Sequence, residues 1–316
     1  MRLYVSQTTD PAINLATEEY LFRNYSDEII LLYINQSSLI AGKHQNVLAE
    51  VNFPYCYKNN IPLFRRISGG GTVYHGDGNV NFSFIFSRGK RGLNYHENLI
   101  PLQKFFKEIL NLDIEISTRN DLWLHSKKIS GTAEHVFKNR VLQHGTLLYN
   151  SSLDDLRKAL HKSGDHYTGK AVASVCSETT NIANHLKTPY PLPEFLLLLS
   201  EYLKKYFSAK ELFLTKNEHK EIRELANTKY RSRKWNFAYS GKYAFEKTTI
   251  INSKKYEVEL KVEHGVITES TIRIDSEPVS GISLKGIGHY PSNLMEALEE
   301  TALWSEIKEA YLEMFF

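Results

Sequence analysis

The sequence predicts an α+β fold: a mixed, largely antiparallel sheet with helices, followed by a small α+β C-terminal accessory domain. Three observations predict it. Helical segments alternate irregularly with runs of strands, unlike the regular βα alternation of a parallel sheet. The chain turns polar between about 215 and 235, through Lys216-Asn217-Glu218-His219-Lys220 and Lys229 to Lys234. Beyond Trp235-Asn236-Phe237 the pattern changes to consecutive strands and a closing helix. The division drawn is 1–240 for a main domain and 241–316 for the accessory one.

The elements follow in order. Asp10 as N-cap and Pro11 in the first turn open a helix over 11–24, whose Ile13, Ala16, Tyr20 and Leu21 share a face. Short apolar or alternating runs place strands at 28–35, 39–43, 61–66, 80–87, 112–117, 121–125 and 141–150. Further helices are expected at 96–110, 152–161 and 191–206. The run Phe195-Leu196-Leu197-Leu198-Leu199 is far short of the roughly 18–20 residues that span a bilayer, so it reads as the buried face of the last of these. Residues 247–274 read as strands turning at Asn252-Ser253 and His264-Gly265, and an amphipathic helix over 292–313 ends the chain. No internal repeat or low-complexity tract interrupts this order.

Composition excludes several classes. The chain has 316 residues, 42% hydrophobic and 24% charged, enough apolar content for a folded core. A formal net charge of +3 is too small for sequence-independent nucleic-acid binding, and the basic run from Lys229 to Lys234 reads as a solvated linker face. Two cysteines, Cys56 and Cys176, build no disulfide framework, and the start Met1-Arg2-Leu3-Tyr4-Val5 has neither a signal-peptide core nor an organelle presequence. A cytoplasmic protein is expected, with no membrane and no nucleic-acid partner.

The chemistry concentrates in Arg65-Arg66-Ile67-Ser68-Gly69-Gly70-Gly71-Thr72-Val73-Tyr74-His75, followed by Asn79. Glycines without Cβ atoms let a backbone approach a ligand closely, and a guanidinium donates paired hydrogen bonds to phosphate oxygens. The flanks, Ile61-Pro62-Leu63-Phe64 and Val80-Asn81-Phe82-Ser83-Phe84-Ile85-Phe86, read as strands, so this is a strand-loop-strand cradle. It is neither a P-loop nor a dinucleotide fingerprint, both of which open a helix.

The order Arg-Arg-x-Ser-Gly-Gly-Gly-x-Val-x-His-x-x-Gly-Asn-x-x-Phe from Arg65 to Phe82 resembles the signature of lipoate-protein ligases and related lipoyltransferases. Gly42-Lys43-His44-Gln45-Asn46, Arg119-Asn120-Asp121-Leu122, Lys128-Ile129-Ser130-Gly131-Thr132-Ala133 and His144-Gly145-Thr146-Leu147-Leu148 agree in order and spacing. The likeness covers most of residues 1–240, and Trp235-Asn236-Phe237 is similar to the segment ending that family's catalytic domain. It implies a biotin/lipoate-ligase-like catalytic domain that binds lipoate and ATP.

Lys128 is the candidate catalytic residue, because small residues follow it and leave room for a ligand, whereas Lys127 reads as a surface charge. An ammonium there offsets repulsion between a phosphate and an attacking carboxylate. The resemblance carries Lys128 over to lipoate and adenylate contact, and assigns Arg66, Ser68, Gly69, Gly70, Gly71, Thr72, Val73, Tyr74, His75 and Asn79 to the nucleotide cradle. Asn120, Gly131, His144, Gly145 and Thr146 join the site, and Asp121 is the residue that would place Mg²⁺, a hard cation preferring oxygen. Without zinc-site spacing around them, His75 and His144 read as hydrogen-bonding groups, and His44, His125, His161 and His166 as surface residues.

The activity implied is ATP-dependent formation of lipoyl-AMP and transfer of the lipoyl group to a lysine of acceptor domains, the E2 subunits of 2-oxoacid dehydrogenases and the glycine cleavage H protein. The chain departs from the family in Ser174-Val175-Cys176-Ser177-Glu178-Thr179-Thr180-Asn181, where two arginines are expected, and in Glu134-His135, where another is. Transfer from ready-made lipoyl-AMP, or a thioester route through Cys176, therefore stays open beside the ligase reading. A biotin-protein ligase would show a Gly-Arg-Gly-Arg-like loop in place of Ser68-Gly69-Gly70-Gly71, and a non-catalytic binder would not need Lys128.

Overall fold

A computed structural model describes residues 1–88, 95–161, 166–171, 173–174 and 177–316. The described chain forms two compact units, one from 1–43, 63–157 and 175–231, the other from 44–62, 158–174 and 232–316.

The first unit is built on a six-stranded sheet. Its strands are β1 (Arg2–Val5), β2 (Ile29–Ile34), β6 (Asn79–Ser87), β10 (Thr132–Phe137), β11 (Arg140–Leu148) and β13 (Lys210–Glu211), in the order β10-β11-β6-β2-β1-β13. β1 runs parallel to β2 and β13, while the β2, β6, β10 and β11 pairs are antiparallel. Two three-stranded sheets accompany it: β3 (Ser38–Ala41) between β4 (Leu63–Arg65) and β5 (Val73–His75), and β7 (Glu115–Ile116), β8 (Leu122–Leu124) and β9 (Lys127–Ser130). The fold is the expected α+β class, mixed and rich in antiparallel pairs.

The period of two in β6 sorts its side chains between two buried faces. Val80, Phe82, Phe84 and Phe86 join a core with Phe105 and Phe106 of helix Ile100–Leu110 and Phe195, Leu199 and Leu203 of helix Leu192–Tyr206. Each such side chain contributes about 1.5–3 kcal/mol when fully buried. Asn79, Asn81 and Ser83 lie on the opposite face, also buried, and the register puts them across from Leu148, Thr146 and His144 of β11. Helix Pro11–Asn24, which also packs on β2, β6 and β11, brings Glu18 against Ser83, whose hydroxyl donates to it at 2.6 Å. Asp10 caps that helix through the N–H groups of Ala12 and Ile13, as expected.

The second unit contains β12 (Tyr167–Gly169), β14 (Lys242–Ile251), β15 (Lys254–Glu263), β16 (Val266–Ile274) and β17 (Glu277–Pro278) in that spatial order. The turns fall at the expected Asn252-Ser253 and His264-Gly265. The closing helix expected over 292–313 is instead broken into Pro291–Leu298, Trp304–Ile307 and Tyr311–Phe315. Buried positions change sides between these pieces, which one straight helix could not satisfy.

Helix Lys216–Leu225 lies in the polar stretch expected to mark the domain boundary, held by a capping box between Thr215 and Glu218. Lys229, in the basic run expected to be a solvated linker face, pairs with Glu19 at 2.6 Å, and Tyr230 donates to the same carboxylate at 2.7 Å. Among the described residues no helix is long and apolar enough to cross a membrane.

Candidate active site

The glycine loop leaves β4 at Arg65 and returns through β5. Its shape is set by the two arginines that precede it. Arg65 is fully buried and donates to the carbonyls of Gly42 and Lys43, both at 3.0 Å. Arg66 donates through Nε to the Ser68 hydroxyl at 2.9 Å, through Nη1 to the Ile40 carbonyl at 2.9 Å, and through Nη2 to the carbonyls of Gly69 at 2.5 Å and Gly71 at 2.8 Å. Burial brings its pKa down to about 10, with Glu18 opposing, so it remains a cation near neutrality. The guanidinium expected to reach outward for a phosphate is thus directed at the loop carbonyls, pulling them inward.

The consequence lies in the other half of each peptide. Among the described residues, no hydrogen bond uses the N–H groups of Gly69, Gly70 or Gly71. Gly70 has φ +82°, a left-handed conformation that favours glycine. Successive free N–H groups in such a turn form an anion-binding concavity. Gly42 permits the packing beneath, since a Cβ there would stand 2.0 Å from the Gly70 oxygen.

Under the loop runs a buried relay. The Ser68 hydroxyl is 2.6 Å from Nε2 of His144, and Nδ1 of His144 is 2.8 Å from Oε1 of Glu18. Glu18 is 1% exposed and Ser68 0%, so loss of any partner leaves a buried polar group unpaired. Glu18 was not foreseen in the sequence. Its signal was a pair of carboxylates, Glu18-Glu19, in a helix otherwise read by its apolar face.

The second cluster lies on the β8–β9 hairpin. Nζ of Lys128 is 2.9 Å from Oδ1 of Asp121, with side chains 22% and 13% exposed. A Cβ on Gly131 would come 3.2 Å from Cε and 3.3 Å from Nζ of Lys128, so glycine there keeps room for the ammonium. Asn120 has φ +61°, and its carbonyl accepts from the Thr132 hydroxyl at 2.9 Å. The Thr146 N–H donates to the Gly131 carbonyl at 3.1 Å, and Ala133 pairs in register with His144. Since a Cβ on Gly70 would be 3.5 Å from Ala133, the glycine loop meets the start of β10 just beyond the Lys128 hairpin.

Other expected site residues are placed differently. Gly145 faces the core, where a Cβ would meet the Phe82 ring at 2.6 Å. Val73 lies in β5, Thr72 is buried, and the Tyr74 hydroxyl donates to Ser37 at 3.1 Å. His75 accepts from Asn35 at 3.0 Å; burial, reinforced by Arg66 and His144, pushes its pKa down to about 3, so the ring is neutral. Asn79 donates to Asn81 at 2.8 Å while its own buried Oδ1 has no partner among the described residues. Glu134 is half-buried; burial raises its pKa, opposed by His144 and Asn120, and its Oε1 also lacks a partner. Cys176 lies outside the described residues. Cys56 is buried, its thiol pushed up to about 12 by burial, and takes no part in the site.

Among the described residues no group of three or more His, Cys, Asp or Glu could hold a metal ion. Asp121 has one carboxylate oxygen on Lys128, and among the described residues the other accepts no hydrogen bond. A single carboxylate fits Mg²⁺, which keeps several waters and takes its remaining ligands from substrate phosphates.

Residues 10–204 match the family model of the lipoyl protein ligase A/B catalytic domain. Lipoate–protein ligase 1 of Staphylococcus aureus is 36% identical over 309 residues, covering 94% of this chain and 92% of its own. Among solved structures, lipoate-protein ligase A bound with ATP is similar with a TM-score of 0.62 and 26% identity, over 75% of this chain and 98% of that one. A bipartite lipoate protein ligase of Thermoplasma acidophilum, described with its E2 lipoyl domain, gives 0.63 at 25% identity, over 75% and 95%. The chain belongs to the lipoate-protein ligase family.

Proposed function

We propose that this chain activates lipoate with ATP to lipoyl-AMP and transfers the lipoyl group to a lysine of an acceptor domain. The observation that carries the reading is the row of free N–H groups at Gly69–Gly71, shaped from behind by Arg66 and meeting the strand that leaves the Lys128–Asp121 hairpin.

In the first half-reaction a lipoate carboxylate oxygen attacks the α-phosphorus of ATP, and the bond from that phosphorus to the bridging oxygen breaks to release pyrophosphate. The loop N–H groups hold phosphate oxygens, and the Lys128 ammonium sits between the two anions that must approach. Mg²⁺, when bound with ATP, would offset phosphate charge, with Asp121 as its protein ligand. In the second half the acceptor amine attacks the acyl carbon, AMP leaves, and the amine loses a proton. A free lysine with a pKa near 10.4 is neutral in only about one molecule in a few thousand at pH 7, so docking must accompany deprotonation.

The acceptors proposed are E2 lipoyl domains and the H protein, in the cytoplasm, and the domain doing this chemistry is that of residues 1–240. Family membership and the likeness to an ATP-bound ligase favour this route over thioester transfer through Cys176. The test is the intact mass of an E2 lipoyl domain incubated with the chain, lipoate, ATP and Mg²⁺. Lipoylation that requires ATP supports the reading. Modification only from an acyl thioester, with the acyl group trapped on Cys176, would install the alternative.

A further inference from the structure

We propose that His125 and His185 form a two-histidine chelating site for a transition-metal dication of the zinc class, set on the turn of the hairpin that carries Lys128. This is separate from the lipoylation reading and uses none of its residues as ligands.

The Nδ1 atoms of the two rings lie 3.3 Å apart, with centroids 5.1 Å apart at 64°. Two nitrogens bound to one tetrahedral zinc at about 2.0–2.1 Å are themselves about 3.3 Å apart, so the ion replaces the proton shared between the rings after a small tilt of each. The outer nitrogen of His185 already has the partner that metal-bound imidazoles use: Nε2 is 3.0 Å from the Thr180 hydroxyl. With Nε2–H donating there, the Nδ1 lone pair faces His125. The nearby cation is offset, since Lys127 pairs with Glu178 at 2.7 Å. His125 is exposed and His185 partly exposed, so an ion can enter from solvent. Imidazole nitrogen selects zinc, copper or nickel over Mg²⁺.

The two ligands come from different segments of the chain. His125, at φ +48°, sits in the turn between β8 and β9, and His185 ends the turn Ile182–His185. Between them the backbone N–H of Lys128 donates to the Glu178 carbonyl at 2.9 Å, and the Lys128 carbonyl accepts from the Thr180 N–H at 3.1 Å. An ion at the pair therefore fastens residues 178–185 onto the hairpin.

The test is calorimetric titration of the full, chelator-stripped chain with Zn²⁺, in wild type, His125→Ala, His185→Ala and Thr180→Val, paired with hydrogen exchange. Both histidines reach solvent, so their alanine variants should keep the wild-type circular dichroism. The expected result is one saturable site, weakened at least about tenfold by each alanine change and about tenfold by Thr180→Val, with slower exchange over 178–185 on Zn²⁺ addition in wild type alone. Binding equal to wild type in either alanine variant, or exchange over 178–185 that Zn²⁺ leaves unchanged, would overturn the proposal.

Discussion

Lys128 and Asp121 form a partly buried ion pair of 2.9 Å, with the space beside the ammonium kept open by Gly131. A pair that is still partly solvated contributes less than about 1 kcal/mol to stability, so its value lies in placing charge. Lys128→Ala should keep the fold, leave the melting temperature nearly unchanged and remove nearly all lipoyl-AMP formation. Lys128→Arg should fail as well, because a planar guanidinium distributes its donors differently from a point-charge ammonium. Single-turnover rates and a thermal melt check both statements together.

Gly42 and Gly69 make contrasting predictions. A Cβ at Gly42 would stand 2.0 Å from the Gly70 oxygen, whereas one at Gly69 meets nothing within 4 Å. Gly42→Ala should displace the loop, cost about 1–3 kcal/mol and weaken ATP binding at least about tenfold. Gly69→Ala should leave stability close to wild type. Equal ATP affinities in the two variants, measured by calorimetry, would mean that the loop is not the phosphate cradle.

The relay below the loop depends on Glu18. Glu18→Ala leaves His144 and the Ser83 hydroxyl without their shared acceptor, a loss of about 1–3 kcal/mol, and should lower kcat/KM for ATP because the Ser68 end of the loop loses its anchor. Glu18→Gln retains one acceptor oxygen and should recover part of both. A catalytic loss in Glu18→Ala with Ser68 unmoved in a crystal structure would contradict the positioning role.

His75 links stability to pH. Its folded pKa is near 3 against an ordinary 6.5, so the unfolded chain takes up a proton that the folded chain refuses. Stability is complete above pH 6.5 and is lost as pH falls toward 3, at about tenfold in the folding equilibrium per pH unit for this one group. His75→Gln should remove about one proton from that slope between pH 6 and 4. An unchanged slope in denaturant titrations would show that His75 already accepts a proton in the folded protein.

Most of the fold was legible because its signals are local. Asp10-Pro11 opens a helix, and Asn252-Ser253 and His264-Gly265 turn strands, whatever surrounds them. Elements whose stability comes from packing were not legible: β9 and β10, carrying Lys128 and Ala133, lack the alternation that marks a strand alone. The site was half-legible for a related reason. Asn81 and Ser83 alternate with phenylalanines just as solvent-facing residues would, and only the helix lying over them, with Glu18, turns that polar face into a buried floor. Nor does sequence distinguish an arginine aimed at a ligand from one aimed at its own loop, which is how Arg66 stands here.

The most direct test of the central claim is a single-turnover assay of lipoyl-AMP and pyrophosphate formation from lipoate and ATP, run beside transfer from preformed lipoyl-AMP, with wild type, Lys128→Ala and Cys176→Ser. Wild type should form the adenylate, Lys128→Ala should lose nearly all of it, and Cys176→Ser should keep rates within a few-fold of wild type, since an acyl adenylate needs no protein nucleophile. Wild-type adenylate formation by Lys128→Ala, or loss of all transfer in Cys176→Ser, would contradict that claim.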